Sequence, residues 1–338
     1  MRLALDAMGG DFGPHPNVSG ALRALAAAPD LSITLVGDQA QLLPLLVAAG
    51  TAPNDRLTVL HSADVVGMSE KPVEAFRKKP DNSIAVSWRL LVGKQVDGLV
   101  SAGNTGAVVA GGLFSKRFLK GVRRPGIAAL MPTAKGRTVV IDVGANVFPK
   151  ASHLLQYGVM GSVYARLALG IERPTIGLMN VGEEQGKGHE LVNKTYELFR
   201  NSPLAGQFVG NVEGRDIHRG ACDVIVTDGF VGNVILKQAE GAFELLMGLV
   251  ARDVIGALTT EREVGAAALK AMVAKLHHSA AGGAPLLGID GVCVICHGSS
   301  DERSIAGALA VAATCVRTGV NDKISEELAA LPPLPSDE

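Results

Sequence analysis

Lys187 and His189 stand in the stretch Gly182-Glu183-Glu184-Gln185-Gly186-Lys187-Gly188-His189, where glycines loosen the backbone around a cation and an imidazole. A lysine ammonium neutralises a phosphate as a point charge, and an imidazole gives or takes a proton near neutral pH. The competing reading is a solvated loop with no chemical task. Ser101-Ala102-Gly103-Asn104-Thr105-Gly106 suggests anion binding, because it ends one apolar run and opens a helix whose first N–H groups lack intrahelical partners. The same run also reads as an ordinary helix cap.

Other polar loops follow apolar runs in the same way. They hold Asp6, Gly9, Gly10 and Asp11 (LALDAMGGD), Asn146 (DVGANV), Asn180 before the Lys187 loop, Asn211, the trio Asp228, Gly229 and Asn233 (TDGFVGN), and His297 (HGSS). Several of these residue types serve only to form turns. Neither G-x-G-x-x-G nor G-x-x-x-x-G-K-[ST] occurs at these junctions, so no nucleotide-phosphate fingerprint is present.

Such loops must be carried by strands and helices. Strands are predicted at 2–5, 32–36, 57–60, 98–101, 138–141, 175–179, 207–209, 223–227 and 292–295, mostly as continuous apolar runs suited to burial on both faces. Helical patterns alternate with them, which gives an α/β fold with a mainly parallel sheet sandwiched by helices. In such a sheet the polar loops gather at the carboxyl edge, and that edge is where the site is expected. The exception to the alternation is 233–278, two successive helical stretches read as a protruding helical hairpin. Residues 1–330 read as a single two-lobed catalytic unit and 331–338 (LPPLPSDE) as a disordered tail.

Composition narrows the function. The chain has 338 residues, 47% hydrophobic and 19% charged, which is ample for a large core, and a formal net charge of -1, which removes the general case for nucleic-acid binding. No uncharged apolar stretch of ~18 residues appears, and Asp6 interrupts what would be a signal peptide, so a cytoplasmic chain is expected. Four scattered cysteines argue against a disulfide framework. Cys293 to His297 matches C-x-x-C-H, but the surrounding GVCVICHGSS reads as a buried strand entering a turn, with cysteine as a small apolar residue. Two basic runs stand out. Phe76 to Ser83 (FRKKPDNS) carries a helix cap at Asn82 or Ser83, and Ser115 to Arg124 (SKRFLKGVRR) has five cations and no acid, suiting an acidic protein or lipid.

The motifs LALDAMGGDFGP, VSAGNTGA, DVGANV, MGSVYA, GLMNVGEEQGKGHEL, GNVEGRDI, DVIVTDGFVGNVILK, GGAPLLG and HGSS, in this order over nearly the whole chain, resemble the bacterial acyl-ACP:phosphate acyltransferase family, PlsX. Two departures are visible: Asn82 stands where a serine is usual, and His277 to Ala281 (HHSAA) replaces a more aromatic run. The resemblance implies a fold similar to isocitrate and isopropylmalate dehydrogenases and to phosphotransacetylase. It implies transfer of a long fatty acyl group from acyl carrier protein to inorganic phosphate, giving acyl phosphate for a membrane glycerol-3-phosphate acyltransferase. It further implies a homodimer, a peripheral membrane contact, and no cofactor or metal. On that reading Asn104, Thr105, Gly106 and Lys187 hold phosphate. N–H groups around Gly9 and Gly10 or Gly229 receive the oxyanion, Lys187 and His189 protonate the leaving group, and Asp228 or Asp6 orients them. Asp11, Asn146, Asn180, Asn211, Asn233 and His297 complete the substrate-binding set. The alternatives are a phosphotransacetylase-like enzyme using acyl-CoA and a non-catalytic peripheral scaffold.

Overall fold

The computed structural model describes residues 1–280 and 282–333, and the side chains of all of these except 274–280. Ala281, the side chains of His277–Ala280 and the 334–338 end of the expected tail thus lie outside the described residues. Within them a single sheet has eleven strands: β1 (Arg2–Asp6), β2 (Ser32–Gly37), β3 (Leu57–His61), β4 (Gly98–Ser101), β5 (Gly126–Thr133), β6 (Gly136–Ile141), β7 (Ile176–Met179), β8 (Phe208–Val212), β9 (Val224–Val226), β10 (Ala284–Leu287) and β11 (Val292–Ile295). Their spatial order is β3-β2-β1-β4-β11-β10-β5-β6-β9-β7-β8.

Strands β3-β2-β1-β4-β11 are parallel, and so are β6-β9-β7-β8. Between them β10 runs antiparallel to both β11 and β5, and β5 antiparallel to β6. Three reversals in succession leave β6 pointing opposite to β11. The molecule therefore has two parallel half-sheets of opposite direction and two carboxyl edges, where the sequence suggested one. The two strands absent from the sequence reading, β5 and β10, are the ones that cause this reversal. Each carries a proline, Pro132 and Pro285, a residue that cannot donate to a ladder and reads as a strand breaker.

Helices cover both faces. Leu3 and Leu5 of β1 point to the layer containing α1 (His15–Ala27), α6 (Ala151–Leu169), α11 (Glu302–Arg317) and α12 (Val320–Ala329), whereas Ala4 points to the opposite layer. That second layer holds α4 (Ser83–Val92), α5 (Thr105–Ser115) and the inner stripe Val231, Ile235, Leu236 and Ala239 of α9 (Gly229–Leu249). The expected arm begins at Gly229 and not 233. After α9 the chain passes through a π-helical segment, Val250–Ile255, and α10 (Arg262–Ala280) brings it back toward β5 and into β10. Leu245, Leu246, Val254 and Val264 are exposed along this excursion. No helix among the described residues is long and apolar enough to cross a membrane.

Candidate active site

Each half-sheet places one wholly buried aspartate at the end of its first strand. Asp6 closes β1: its Oδ1 accepts the N–H groups of Met8 (3.2 Å) and Gly9 (3.1 Å), and its Oδ2 accepts the Ser101 hydroxyl at 2.6 Å. Asp142 follows β6: its Oδ1 accepts from Ile127, Gly144 and Ala145 at 2.9–3.0 Å, and its Oδ2 accepts from Asn146 N at 2.6 Å. Burial raises the pKa of both carboxyls despite these bonds, because desolvation penalises the charged form more than the N–H groups repay. Asp6 therefore fastens the β1 loop to the β4 loop and is sealed from Lys187 and His189, which corrects its expected orienting role. Asp142 performs the same task in the second half. It was missing from the sequence candidates, although D-x-G-x-N after an apolar run parallels D-x-x-G-G after β1.

At the first edge, Asn104 caps α5 by accepting Ala107 N at 3.0 Å, and its amide donates to the carbonyls of Met68 (2.9 Å) and Glu70 (3.1 Å). Those bonds consume the side chain, so Asn104 does not contact phosphate as expected. The exposed Thr105 and Gly106 keep the free helix start. Gly9 likewise spends its N–H on Asp6, while Gly10, at φ +95, approaches Gly298 so closely that an added Cβ would lie 3.0 Å from its carbonyl oxygen. Asp11 N donates to that same carbonyl at 2.8 Å, which brings the GGD loop against the HGSS loop. His297 is exposed, with Nδ1 2.8 Å from the Ser299 hydroxyl and Nε2 3.2 Å from Lys237 Nζ.

At the second edge, the expected substrate residues divide into those holding the loops and those left free. Asn146 donates to Pro125 O and to the Tyr157 hydroxyl, and its own carbonyl accepts Gly229 N at 2.8 Å. Gly229 is thereby removed as an oxyanion donor, again a correction. Asp228 caps α9, accepting both Phe230 N and Val231 N at 2.9 Å on Oδ1, which ties that oxygen to the helix. Asn180 donates to Lys187 O at 3.0 Å, and Asn211 donates to Glu184 O at 3.0 Å, so two strand ends grip the 182–189 loop from behind. Gly188 sits at φ +82 where a Cβ would collide with the Asn180 amide oxygen. The outcome is that Lys187 and His189 project into solvent with no side-chain partner among the described residues. His189 is also the N-cap residue of α7 (Glu190–Arg200) without capping it, so that helix start remains open to an anion. Asn233, on the first turns of α9, is exposed and faces Gly144.

Helix α9 joins the two edges. Its N-terminus is capped at the second edge by Asp228, and one turn after Asn233 its Lys237 reaches His297 at the first edge. Lys237 was not among the sequence candidates; its i, i+4 spacing from Asn233 places the two on one helix face. The small residue Gly232 allows α9 to lie on the Asp142 backbone, where any Cβ would overlap the Asp142 carbonyl oxygen. The C-x-x-C-H run is the buried strand that the sequence suggests: Cys293 and Cys296 are sealed, and burial pushes the Cys296 thiol up to about 12. All four cysteines are free.

Comparison with known proteins places this geometry in context. A family model described as a fatty acid synthesis protein matches residues 1–323. The chain is 44% identical over 333 residues to the phosphate acyltransferase of Desulfitobacterium hafniense strain DSM 10664, covering 97% of this chain and 98% of that one. It is 42% identical over 336 residues to the phosphate acyltransferase of Brevibacillus brevis, covering 97% of each. Among solved structures, a phosphotransacetylase from Streptococcus pyogenes aligns with a TM-score of 0.60 at 18% identity, and the EutD phosphotransacetylase from Staphylococcus aureus with 0.58 at 13%, each covering 94% of both chains. These two likenesses bear on the fold alone.

Proposed function

Since the chain belongs to the phosphate acyltransferase family and is an acyltransferase, we propose that it moves a long fatty acyl group from acyl carrier protein to inorganic phosphate at the two edges bridged by α9, giving acyl phosphate for phospholipid synthesis. One observation carries the residue assignment. Lys187 and His189 are the cation and imidazole that the loop architecture leaves unpaired, beside the open start of α7.

Hydrogen phosphate is itself a nucleophile. Lys187 and the α7 N–H groups hold it, and one phosphate oxygen attacks the thioester carbonyl carbon. On this reading the carbonyl oxygen takes up negative charge, which the Gly10 N–H, the start of α5 at Thr105 and Gly106, and His297 receive, while Lys237 beside His297 is itself paired with Glu240 at 2.8 Å. Collapse of the tetrahedral species breaks the carbon–sulfur bond and expels a thiolate. A thiol of ordinary pKa, about 8.5, leaves without a strong acid, so positioning and electrostatics outweigh proton transfer, and His189 supplies the proton. No acyl-enzyme is required. The partner set on this reading is acyl carrier protein, inorganic phosphate, a membrane glycerol-3-phosphate acyltransferase that consumes the product, and a second copy of the chain in a homodimer. The cytoplasm is its place, with peripheral membrane contact.

The test is to incubate purified protein with palmitoyl carrier protein and phosphate and to trap acyl phosphate with hydroxylamine. Phosphate-dependent hydroxamate is expected, with the carrier preferred over palmitoyl-CoA. A preference for CoA would make the chain a phosphotransacetylase-like enzyme, and no hydroxamate from either donor would leave it a scaffold. Protein acylated in the absence of phosphate would overturn direct attack.

A further inference from the structure

The basic run Ser115–Arg124 folds beside the second edge. Its Arg117 is neutralised by Asp290 at 2.9 Å, but the rest of the run has a different destination. Lys116, Arg123 and Arg124 join Lys150 and His153, over the apolar residues Leu113 and Phe118, to line a concave pocket of about 590 Å³ that contains no carboxylate. Arg123 is anchored to Ser152 at 3.0 Å, whereas Lys116, Arg124 and Lys150 are exposed and make no ion pair among the described residues. The N-terminus of the 19-residue helix α6 begins at Ala151, directly after Lys150, and adds its positive end to the same place. In a chain of net charge -1, Lys116, Arg124 and Lys150 concentrate positive charge around a pocket whose lining residues include no Asp or Glu.

The pocket adjoins the reacting loops. Asn146 donates to Pro125 O, next to Arg124, and only Val147, Phe148 and Pro149 separate Asn146 from Lys150. Phe148 is 94% exposed and Val147 is exposed beside it, so an apolar knob stands between the cations and the second edge. We propose that this pocket and its Phe148 rim are the docking surface for the acidic acyl carrier protein, with Lys116, Arg124 and Lys150 meeting carboxylates on a carrier helix. The inference rests on the function proposed above. A recessed basic pocket with an aromatic at its rim fits the acidic face of a folded protein, whereas a flat anionic bilayer reaches the rim but not the floor. Docking there brings the carrier's thioester arm to the exposed Val147 and Phe148, in the loop that Asn146 ties to the second edge.

The test uses the full chain with Lys116→Glu/Lys150→Glu, both exposed positions; Lys150 lies at a helix N-cap, where a carboxylate is favourable, so folding is preserved. Titration with palmitoyl carrier protein is expected to show at least tenfold weaker binding, steeper salt sensitivity in the wild type, and retention of affinity in Lys116→Arg/Lys150→Arg. Turnover of the uncharged palmitoyl N-acetylcysteamine thioester is expected to remain as in the wild type. Unchanged carrier affinity would overturn the proposal. So would equal loss with both donors, or loss of phosphatidylglycerol vesicle binding in place of carrier binding. If the wild type produces no acyl phosphate from either donor, the proposed function fails, and the direct titration still decides the docking surface.

Discussion

Gly188→Ala tests whether the 182–189 loop must be held in one shape. The new Cβ meets the Asn180 amide oxygen, so Asn180 must rotate away and release Lys187 O, now held at 3.0 Å. An L-residue at φ +82 costs about 1–2 kcal/mol, and the lost hydrogen bond about 1 kcal/mol more. The penalty of about 2–3 kcal/mol falls on the loop alone and lowers the population of its working conformation by about 30- to 140-fold. The fold is spared, because Lys187 and His189 are exposed and the core packs elsewhere. Hydroxylamine trapping should therefore show kcat/KM for phosphate down by that factor, with the thermal midpoint within a few degrees of wild type. Wild-type kcat/KM, or a loss explained by unfolding, would refute the reasoning.

Four shorter expectations follow from the same geometry. Lys187→Ala should cut turnover by about a hundredfold, the usual result of removing one electrostatic donor at about 3 kcal/mol, with circular dichroism unchanged. Asn104→Ala removes a helix cap and the tie to Met68 and Glu70 without touching substrate, so calorimetry should record about 1–2 kcal/mol of lost stability. Gly232→Ala should lift α9 off the Asp142 backbone, costing about 1–3 kcal/mol by denaturant titration and lowering activity with it. Burial pushes Cys222, Cys296 and Cys315 up to about 12, and a thiol reagent at pH 8 should label them only on unfolding; rapid labelling of the native protein would contradict that burial.

Which parts of this were readable in the sequence depends on what each residue's neighbours are. Nine strands announced themselves as apolar runs, most of them because both of their faces are covered, although the edge strand β3 is largely exposed. β5 and β10 did not, since Pro132 and Pro285 mask them, and with them went the reversal that splits one carboxyl edge into two. Residue type marked Asp6, Asn104, Asn146, Asn180, Asp228 and Gly229 as loop residues; Asn104, Asn146, Asn180 and Asp228 lie in loops, whereas Asp6 closes β1 and Gly229 opens α9. Residue type does not reveal which partner each takes, however: Asp6 bonds Ser101 of another strand, Asn146 bonds Tyr157 of the following helix, Asn180 bonds Lys187 O in its own loop, and Asp228 bonds its own helix. Lys187 and His189 are the reverse case, legible because glycines surround them and free because nothing nearby claims them. Lys237 could have been found only by asking what shares a helix face with Asn233.

On the proposed function, loops from both half-sheets act on one transition state. A double-mutant cycle on Lys187→Ala and His297→Ala, read as kcat/KM for phosphate, addresses it most directly. The two losses should fall short of additivity by well over about 0.5 kcal/mol, as for groups serving one reacting centre. Losses that add within about 0.5 kcal/mol, or a His297→Ala enzyme with wild-type turnover, would place the first edge outside the reaction.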